Sequence, residues 1–310
     1  MAKKLIVGID LGGTNLKIAL LDLKFRIRHK EVLDTKRFNK KEGLISAIVD
    51  SVHNILKDNK LSRKNLLGVG LGLPGPIDYE RGVVHFLPNI GGWKEVNLKS
   101  ILQRRLRLPV FVDNDAKLMS LAEYKLGAAK GYSNAVCITL GTGVGAGIII
   151  NGSLYRGFCN ASGEIGHMPI NEKGPRCNCG GHACLEAYVG NKRILKEAKR
   201  MFRRDISLEE LSSLARRQNR GAQTIWGKVA GRLAVALVGA VNLLNPDCIV
   251  IGGGVANAGR ILFDKVKKVI SSQAMSVQAR HVKVFKAKLG NNAGLIGAAI
   301  LVKEGMPRLS

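Results

Sequence analysis

The strongest constraint on the fold is a pattern that occurs twice. The residues IDLGGTNLKIALLD, beginning at Ile9, align without a gap with ITLGTGVGAGIIIN, beginning at Ile138. Each copy contains a buried apolar run, a glycine turn and a second apolar run, which predicts a β-hairpin. Two copies of one hairpin in 310 residues, a length sufficient for two domains, predict a duplicated α/β architecture.

The first glycine turn has the composition of a phosphate-binding turn. Gly12 and Gly13 allow backbone N–H groups to approach phosphate oxygens, and the hydroxyl of Thr14 adds a donor. Asp10, at the end of the preceding strand, is placed to hold a hydrated magnesium ion. The chain lacks GxxxxGK[ST], so this turn is not the P-loop that joins a strand to a helix.

The second turn also fits GxGxxA through Gly141, Gly143 and Ala146, which is the fingerprint of a dinucleotide site. That fingerprint must open a helix, whereas GIIINGSLY continues as a strand and ends in an Asn-Gly turn. We therefore predict phosphate binding by the two hairpins and no dinucleotide fold.

A loop over residues 164–186 contains a compact set of nitrogen and sulfur ligands. His167, Cys177, Cys179 and Cys184 are sufficient to close one tetrahedral zinc shell with no open position, which is typical of a structural site. His182 is the alternative fourth ligand. Buried thiols or a disulfide are the other interpretations, and a disulfide is disfavoured because we find no secretory signal and expect a reducing cytoplasmic compartment.

Carboxylates and amides flank these motifs. Glu164 and Glu186 bracket the cysteine loop, so a metal there would hold two hydrogen-bond acceptors at one rim, as a polyol site requires. The strand VFVDN ends at Asn114, and Asp115 follows at the start of a helix. Asp115 is interpreted either as an N-cap or as a base that accepts the proton of an attacking hydroxyl.

A net charge of +26 attracts anions, and the distribution of the basic residues along the chain indicates whether they form a nucleic-acid surface. Lysines and arginines are scattered over helical stretches such as KRILKEAKRMFRR without interleaved aromatics, and no nucleic-acid-binding motif is found. We interpret them as solvated helix faces and expect no specific nucleic acid. The apolar run LAVALVGAVNLL is too short to span a bilayer, so no membrane segment is expected.

Taken in order, the motifs DLGGT, GLPGPID, FVDNDA, LGTGVGAG, GEIGH with CNCGGHACLE, and IGGG resemble the ROK family of bacterial sugar kinases and sugar-responsive repressors, most closely its glucokinases. The resemblance covers nearly the whole chain. It implies the actin-like ATPase fold, an α/β class in which two ribonuclease-H-like domains border a cleft. It also implies ATP, Mg2+, structural Zn2+, a hexose substrate and a homodimer. We expect domains over residues 1–114, joined by the helix at about 293–310, and over residues 115–292.

The resemblance also implies residue roles. Asp115 matches the catalytic base that deprotonates the 6-hydroxyl of the sugar, and Asp10 matches the carboxylate near magnesium. Other positions match sugar contacts (Asn89, Asn114, Glu164, His167, Glu186), phosphate turns (Gly12, Gly13, Thr14, Gly141, Thr142, Gly143), the nucleoside side (Gly253, Gly254) and zinc ligands (His167, Cys177, Cys179, Cys184).

The expected reaction is ATP-dependent phosphorylation of glucose to glucose 6-phosphate. N-acetylmannosamine, N-acetylglucosamine and fructose remain open as substrates, and polyphosphate remains open as donor. Lys117 departs from the family, which commonly has Asn two residues after the base, and this puts the rate in doubt. A sugar-responsive regulator is the first non-enzyme alternative, and a basic nucleic-acid-binding protein is the second. Such regulators carry a helix-turn-helix domain before the first hairpin, and because that hairpin begins at Leu5 we expect none here.

Overall fold

The computed structural model describes residues 4–87 and 90–306. The chain divides into two compact units. Unit 1 contains the described residues up to Ala122, the segment Arg156–Ser162, and the chain from Asn291 onward; unit 2 contains Glu123–Tyr155 and Gly163–Gly290. The domain bounds expected from sequence stay a prediction.

The strands are, in chain order, β1 (Leu5–Leu11), β2 (Asn15–Asp22), β3 (Ile27–Asp34), β4 (Leu66–Leu73), β5 (Ile77–Asp78), β6 (Val83–Phe86), β7 (Lys94–Asn97), β8 (Val110–Asn114), β9 (Ala135–Leu140), β10 (Val144–Ile150), β11 (Ser153–Tyr155), β12 (Cys248–Gly252) and β13 (Lys283–Lys286). The helices are α1 (Lys41–Asp58), α2 (Leu98–Leu106), α3 (Asp115–Leu126), α4 (Glu186–Val189), α5 (Asn191–Phe202), α6 (Leu208–Arg216), α7 (Arg220–Leu244), α8 (Arg260–Gln273), α9 (Ser276–His281) and α10 (Ala293–Gly305).

Unit 1 is built on a mixed sheet of order β3-β2-β1-β4-β8. β1 and β2 form the first predicted hairpin, with Ile9 opposite Ile18, and β4 pairs parallel with both β1 and β8. A small sheet of β5, β6 and β7 was not predicted. The parallel strands end at one edge of the main sheet, which is where α/β folds carry functional loops.

Helix α10 packs on this sheet because glycines leave room for its backbone. A Cβ on Gly70 of β4 would overlap the carbonyl oxygen of Ala298. Leu295 and Val302 are fully buried against Ile6 of β1. The C-terminal helix therefore completes the hydrophobic core of the N-terminal sheet.

Unit 2 repeats the same arrangement with a sheet of order β11-β10-β9-β12-β13. β9 and β10 form the second predicted hairpin, with Ile138 opposite Ala146, and β12 pairs parallel with β9. β10 continues as a strand, and residues Asn151 and Gly152 turn it into β11 with positive φ angles of 49° and 78°. The predicted hairpins and the rejection of a helix after the second turn are confirmed.

Helix α7 is the only helix in the described residues that is long and apolar enough to cross a membrane by length and composition. Its apolar face lies in the hydrophobic core of unit 2, where Trp226 and Leu233 are fully buried. Another part of its surface carries Lys228 and Arg232, which belong to a polar groove. This packing is that of a core helix.

Candidate active site and metal centre

The first glycine turn is exposed at the end of the β1–β2 hairpin. The N–H of Gly12 donates to the carbonyl of Asn15 at 2.8 Å, which closes the turn. The hydroxyl of Thr35 donates to the carbonyl of Gly12 at 3.1 Å, and its N–H donates to the carbonyl of Thr14 at 2.9 Å. Gly13 and Thr14 are exposed, so the turn is anchored from one side and open to a ligand on the other.

Asp10 lies beside this turn and forms an ion pair with Lys17, whose Nζ is 3.0 Å from Oδ2. Both side chains are mostly buried, at 14% and 22% exposed. Lys17 also donates to the carbonyl of Asn291 at 3.3 Å, which fixes the ammonium group. A carboxylate that is still partly accessible is a suitable ligand for a hydrated magnesium ion.

The second glycine turn is bound to the helices that follow the cysteine loop. The N–H of Gly141 donates to the carbonyl of Gly143, and the N–H of Asn191 donates to the carbonyl of Gly141, both at 2.9 Å. The carboxylate of Glu186 accepts the N–H of Val144 at 2.8 Å. The structure thus brings a predicted sugar ligand, Glu186, into contact with a predicted phosphate turn.

Gly253 follows β12 and approaches the same turn. Its φ of +81° lies in the region that favours glycine, and a Cβ there would overlap the backbone of Leu140. Gly253 therefore lies directly against the end of β9, next to Gly141. The predicted nucleoside residues Gly253 and Gly254 and the second turn are neighbours within unit 2.

The cysteine loop gathers four ligand atoms. Those of His167, Cys177, Cys179 and Cys184 all lie within 4.8 Å of one another. The Sγ atoms of Cys179 and Cys184 are 3.7 Å apart, and Sγ of Cys177 is 3.7 Å from Nδ1 of His167. The six cysteines are free, so there is no disulfide. The ring of His182, the alternative ligand, is not part of this group.

These distances fit a tetrahedral zinc shell. Two thiolates at about 2.3 Å from one zinc ion are about 3.8 Å apart, close to the observed separation. The N–H of Gly181 lowers the pKa of Cys179, whereas burial raises the pKa of the Cys184 thiol. A divalent cation offsets the cost of a buried thiolate, and thiolate with imidazole is the donor set that suits zinc.

His167 connects this centre to a predicted sugar ligand. With Nδ1 turned toward the cysteines, Nε2 lies 4.0 Å from the carboxylate of Glu164. A carboxylate near the second ring nitrogen of a metal-bound histidine favours the tautomer that leaves the ligating nitrogen unprotonated. His167 lies in the short 3₁₀ turn Ile165–His167, which Glu164 directly precedes, so this turn links the metal centre to Glu164.

Asn114 and Asp115 lie at the junction of β8 and α3. The side-chain oxygen of Asn114 accepts the N–H groups of Ala116 and Lys117 at 3.0 and 3.1 Å, and its amide donates to the carbonyl of Gly75 at 3.2 Å. Asn114 thus fills the N-cap role that the sequence allowed for Asp115. Asp115 is half-buried, and its Oδ1 accepts the N–H of Ala116 at 2.8 Å.

Two cations hold this junction in place: Lys117, which the sequence analysis noted beside Asp115, and Arg156, which it did not. Arg156 binds the buried carboxylate of Asp113 through two nitrogens, at 2.7 and 3.2 Å, and its guanidinium lies 3.8 Å from the ring centroid of Tyr79. Lys117 is 3% exposed, and its ammonium donates to the carbonyl of Asn160 at 2.5 Å. Both cations hold the segment Arg156–Ser162 against the residues that flank Asp115.

Asn89, the remaining predicted sugar contact, lies outside the described residues. The glycines and the cysteine loop were recognised from local patterns. Arg156 was missed because it is one arginine among many and its carboxylate partner is 43 positions away.

Comparison with known proteins assigns this arrangement to a family. The ROK family pattern matches residues 6–305, so the chain belongs to the ROK family. It is 37% identical to a glucokinase of Halalkalibacterium halodurans, over 98% of this chain and 96% of the relative. It is 31% identical to the xylose repressor of Bacillus subtilis, over 96% of this chain and 76% of the repressor.

Among solved structures, a ROK family glucokinase from Streptomyces griseus in complex with glucose and AMPPNP superposes with a TM-score of 0.85 at 31% identity. The match covers 97% of this chain and 100% of that one.

Proposed function

We propose that this chain is a sugar kinase that transfers the γ-phosphoryl group of ATP to the 6-hydroxyl of a hexose, with glucose as the substrate. The observation that carries the proposal is the similarity to glucokinases over 98% of the chain. The site chemistry supports it, since a half-buried carboxylate and two glycine turns are parts that phosphoryl transfer needs.

The role of Asp115 is to accept the proton of the attacking hydroxyl. Its first oxygen is engaged by the N–H of Ala116, which holds the carboxylate at the start of α3. Asn114 caps the same helix and Asp113 is held by Arg156, so the backbone on either side of Asp115 is fixed in position. Positioning of this kind supplies much of the rate enhancement in phosphoryl transfer.

The glycine turns supply backbone N–H groups for the phosphates of ATP. Gly13 and Thr14 would donate from the first hairpin and Thr142 and Gly143 from the second, while the N–H groups of Gly12 and Gly141 close the two turns. Asp10 would hold magnesium, which neutralises charge on the phosphates when bound. Gly253 and Gly254 would contact the nucleoside.

Hydroxyl recognition is assigned to Asn89, Asn114, Glu164, His167 and Glu186. A site that binds individual hydroxyls discriminates against sugars lacking them by several powers of ten. Zinc at His167 and the three cysteines would stiffen the loop that carries Glu164. N-acetylmannosamine, N-acetylglucosamine and fructose are the alternative substrates, and polyphosphate is the alternative donor.

The fold class that we propose is the actin-like ATPase fold, in which two ribonuclease-H-like domains border a cleft. Its support is the repeated sheet: in each unit a glycine hairpin pairs in parallel, through its first strand, with a later strand. We also propose a cytoplasmic location, as expected for an ATP-dependent enzyme that needs reduced cysteines.

We propose a homodimer, formed through an apolar strip on unit 2. Val235 and Leu243 on α7 are 44% and 82% exposed, and the methyl group of Met168 lies beside Gly239 between them. Met275, 64% exposed, extends the strip because its N–H donates to the side chain of Asn242. A second copy of the chain is the occupant that we favour, since one helix face can pair with itself about a two-fold axis.

The test is release of ADP by the purified, zinc-loaded protein with ATP and Mg2+ over a panel of hexoses and N-acetylhexosamines. We expect turnover with glucose, and we expect Asp115→Asn to lower kcat by at least 100-fold while circular dichroism and the melting temperature stay unchanged. Asp58→Asn, an exposed carboxylate at the end of α1, is the matched control and should retain full activity.

Retained activity in Asp115→Asn would contradict the assignment of the base. Turnover with another sugar would keep the mechanism and replace the substrate. In a separate assay with polyphosphate in place of ATP, formation of sugar phosphate there and none with ATP would replace the donor.

A sugar-responsive regulator is the second candidate, and the match to the xylose repressor is the observation that favours it. It predicts sugar binding without turnover and a sequence-specific footprint on promoter DNA. A basic nucleic-acid-binding protein, the remaining alternative, predicts binding that is steeply dependent on salt, with no phosphorylation of any sugar.

A further inference from the structure

A groove in unit 2 is lined by none of the residues assigned to the site above. It is formed by α4, α5 and α7 and has a volume of about 420 Å³. This volume falls in the range of pockets that hold small molecules, roughly 300–1,000 Å³. Its lining residues are Tyr188, Arg193, Lys196, Glu197, Arg200, Lys228, Val229 and Arg232.

The lining is strongly cationic: five basic side chains face one carboxylate, Glu197, which is 2.8 Å from Lys228. Arg193, Lys196 and Arg200 recur at helical spacing on α5, so they lie along one face. In the described part of the chain, no carboxylate pairs with these three side chains. Their mutual repulsion in a concave site is relieved when an anion binds.

Part of the groove is already organised. The guanidinium of Arg232 lies 4.8 Å from the ring centroid of Tyr188, whose hydroxyl accepts a hydrogen bond from Asn171 at 3.1 Å. Stacking leaves the edge of the guanidinium available, and that edge matches the oxygens of a phosphate group in a two-pronged geometry. Val229, 4% exposed, provides an apolar floor.

We propose that this groove binds a compact ligand that carries two or more phosphate groups. One phosphate would neutralise only part of the local charge, since five cations less one carboxylate leave an excess of about four positive charges. Two or three linked phosphates match this excess. The groove is thus a local binding site for anions, in addition to the solvated helix faces that carry other parts of the net charge of +26.

The test is isothermal titration of the full-length, zinc-loaded protein with sodium tripolyphosphate up to about 1 mM, at two salt concentrations and without nucleotide. The variant Lys196→Glu/Arg200→Glu reverses two charges in the groove. Lys265→Glu/Lys268→Glu makes the same change in net charge on α8, where both side chains are exposed and outside the groove. We expect the groove variant to raise the Kd at least tenfold and the control to change it less than twofold.

Several outcomes would overturn the proposal. Equal weakening in both variants would mean that tripolyphosphate responds to net charge alone, and no weakening in either would mean that it binds elsewhere, such as at the glycine turns. Absence of binding to the unaltered protein would also overturn it. Arg200→Lys keeps the positive charge but removes the planar guanidinium group, so it should weaken binding less than Arg200→Glu.

A labelled single-stranded oligonucleotide distinguishes the other source of phosphates. If it occupies the groove and tripolyphosphate fails to displace it, the groove is a nucleic-acid surface and the proposed small ligand is wrong. Unchanged melting temperatures of the variants will exclude unfolding as the cause of lost binding.

Discussion

Substitution of Arg156 is the most direct test of what holds the junction of β8 and α3, where Asp115 lies. Asp113 is 1% exposed and receives two hydrogen bonds from the guanidinium of Arg156, whose side chain is 21% exposed. Removal of one partner from a buried ion pair costs about 3–5 kcal/mol because the other charge is left uncompensated. Solvent reaches the arginine from one side, so we expect Arg156→Met to destabilise unit 1 by about 3 kcal/mol. That is roughly a 100-fold change in its unfolding equilibrium.

The assay uses the distribution of tryptophans. The chain has two, Trp93 in unit 1 and Trp226 in unit 2. In a Trp226→Phe background, urea unfolding followed by fluorescence reports on unit 1 alone, which avoids fitting two units as one transition. Arg63→Met, an exposed arginine of the same unit, is the control and should change the stability by less than about 0.5 kcal/mol.

A double-mutant cycle then separates the coupling free energy of the ion pair from the other losses of stability that each substitution causes. Asp113→Asn/Arg156→Met removes both charges, so it should be less destabilised than the sum of the single variants by at least about 1.5 kcal/mol. If Arg156→Met costs under about 0.5 kcal/mol, or if the cycle is additive, the carboxylate is effectively solvated and our account of this support is wrong.

The remaining predictions address other parts of the fold. Gly70→Ala should lower the free energy of unfolding of unit 1 by about 1–3 kcal/mol through overlap with α10, and unchanged urea stability would contradict that packing. Cys179→Ser should reduce bound zinc from about one ion per chain to none by elemental analysis, and retained zinc would exclude this ligand. Burial alone would raise the pKa of Asp22, but the N–H of Arg26, together with Arg28, lowers it below the usual value. The ionised Asp22 therefore stabilises the fold at any pH above the pKa of an unfolded aspartate, about 4. This stabilisation is lost as the pH falls through the lower pKa of the folded state. The stability difference between Asp22→Asn and the unaltered protein should therefore narrow below about pH 4; a constant difference would refute the assignment. Leu243→Glu should convert a dimer to a monomer in light scattering, and an unchanged mass would exclude the apolar strip as the interface.

Local sequence patterns determined much of the architecture. Apolar runs bounded by glycines are strand signals at any position, so both hairpins were predicted. The cysteine loop was recognised because its ligands lie close together in sequence. The short strands β5, β6 and β7 were missed, because two to four residues are too few to establish a period.

The tertiary structure alone decided the long-range partners. Glu123 is completely buried, and its carboxylate accepts the N–H groups of Ala128, Lys288 and Leu289. His167 was preferred to His182 from the family resemblance, and the folding of the loop is what brings its ring to the three cysteines. The sequence determined which residue types were present for phosphate, metal and proton chemistry, because those are local properties. Their partners were decided by folding, because a buried charge is satisfied by groups that are close in space and remote along the chain.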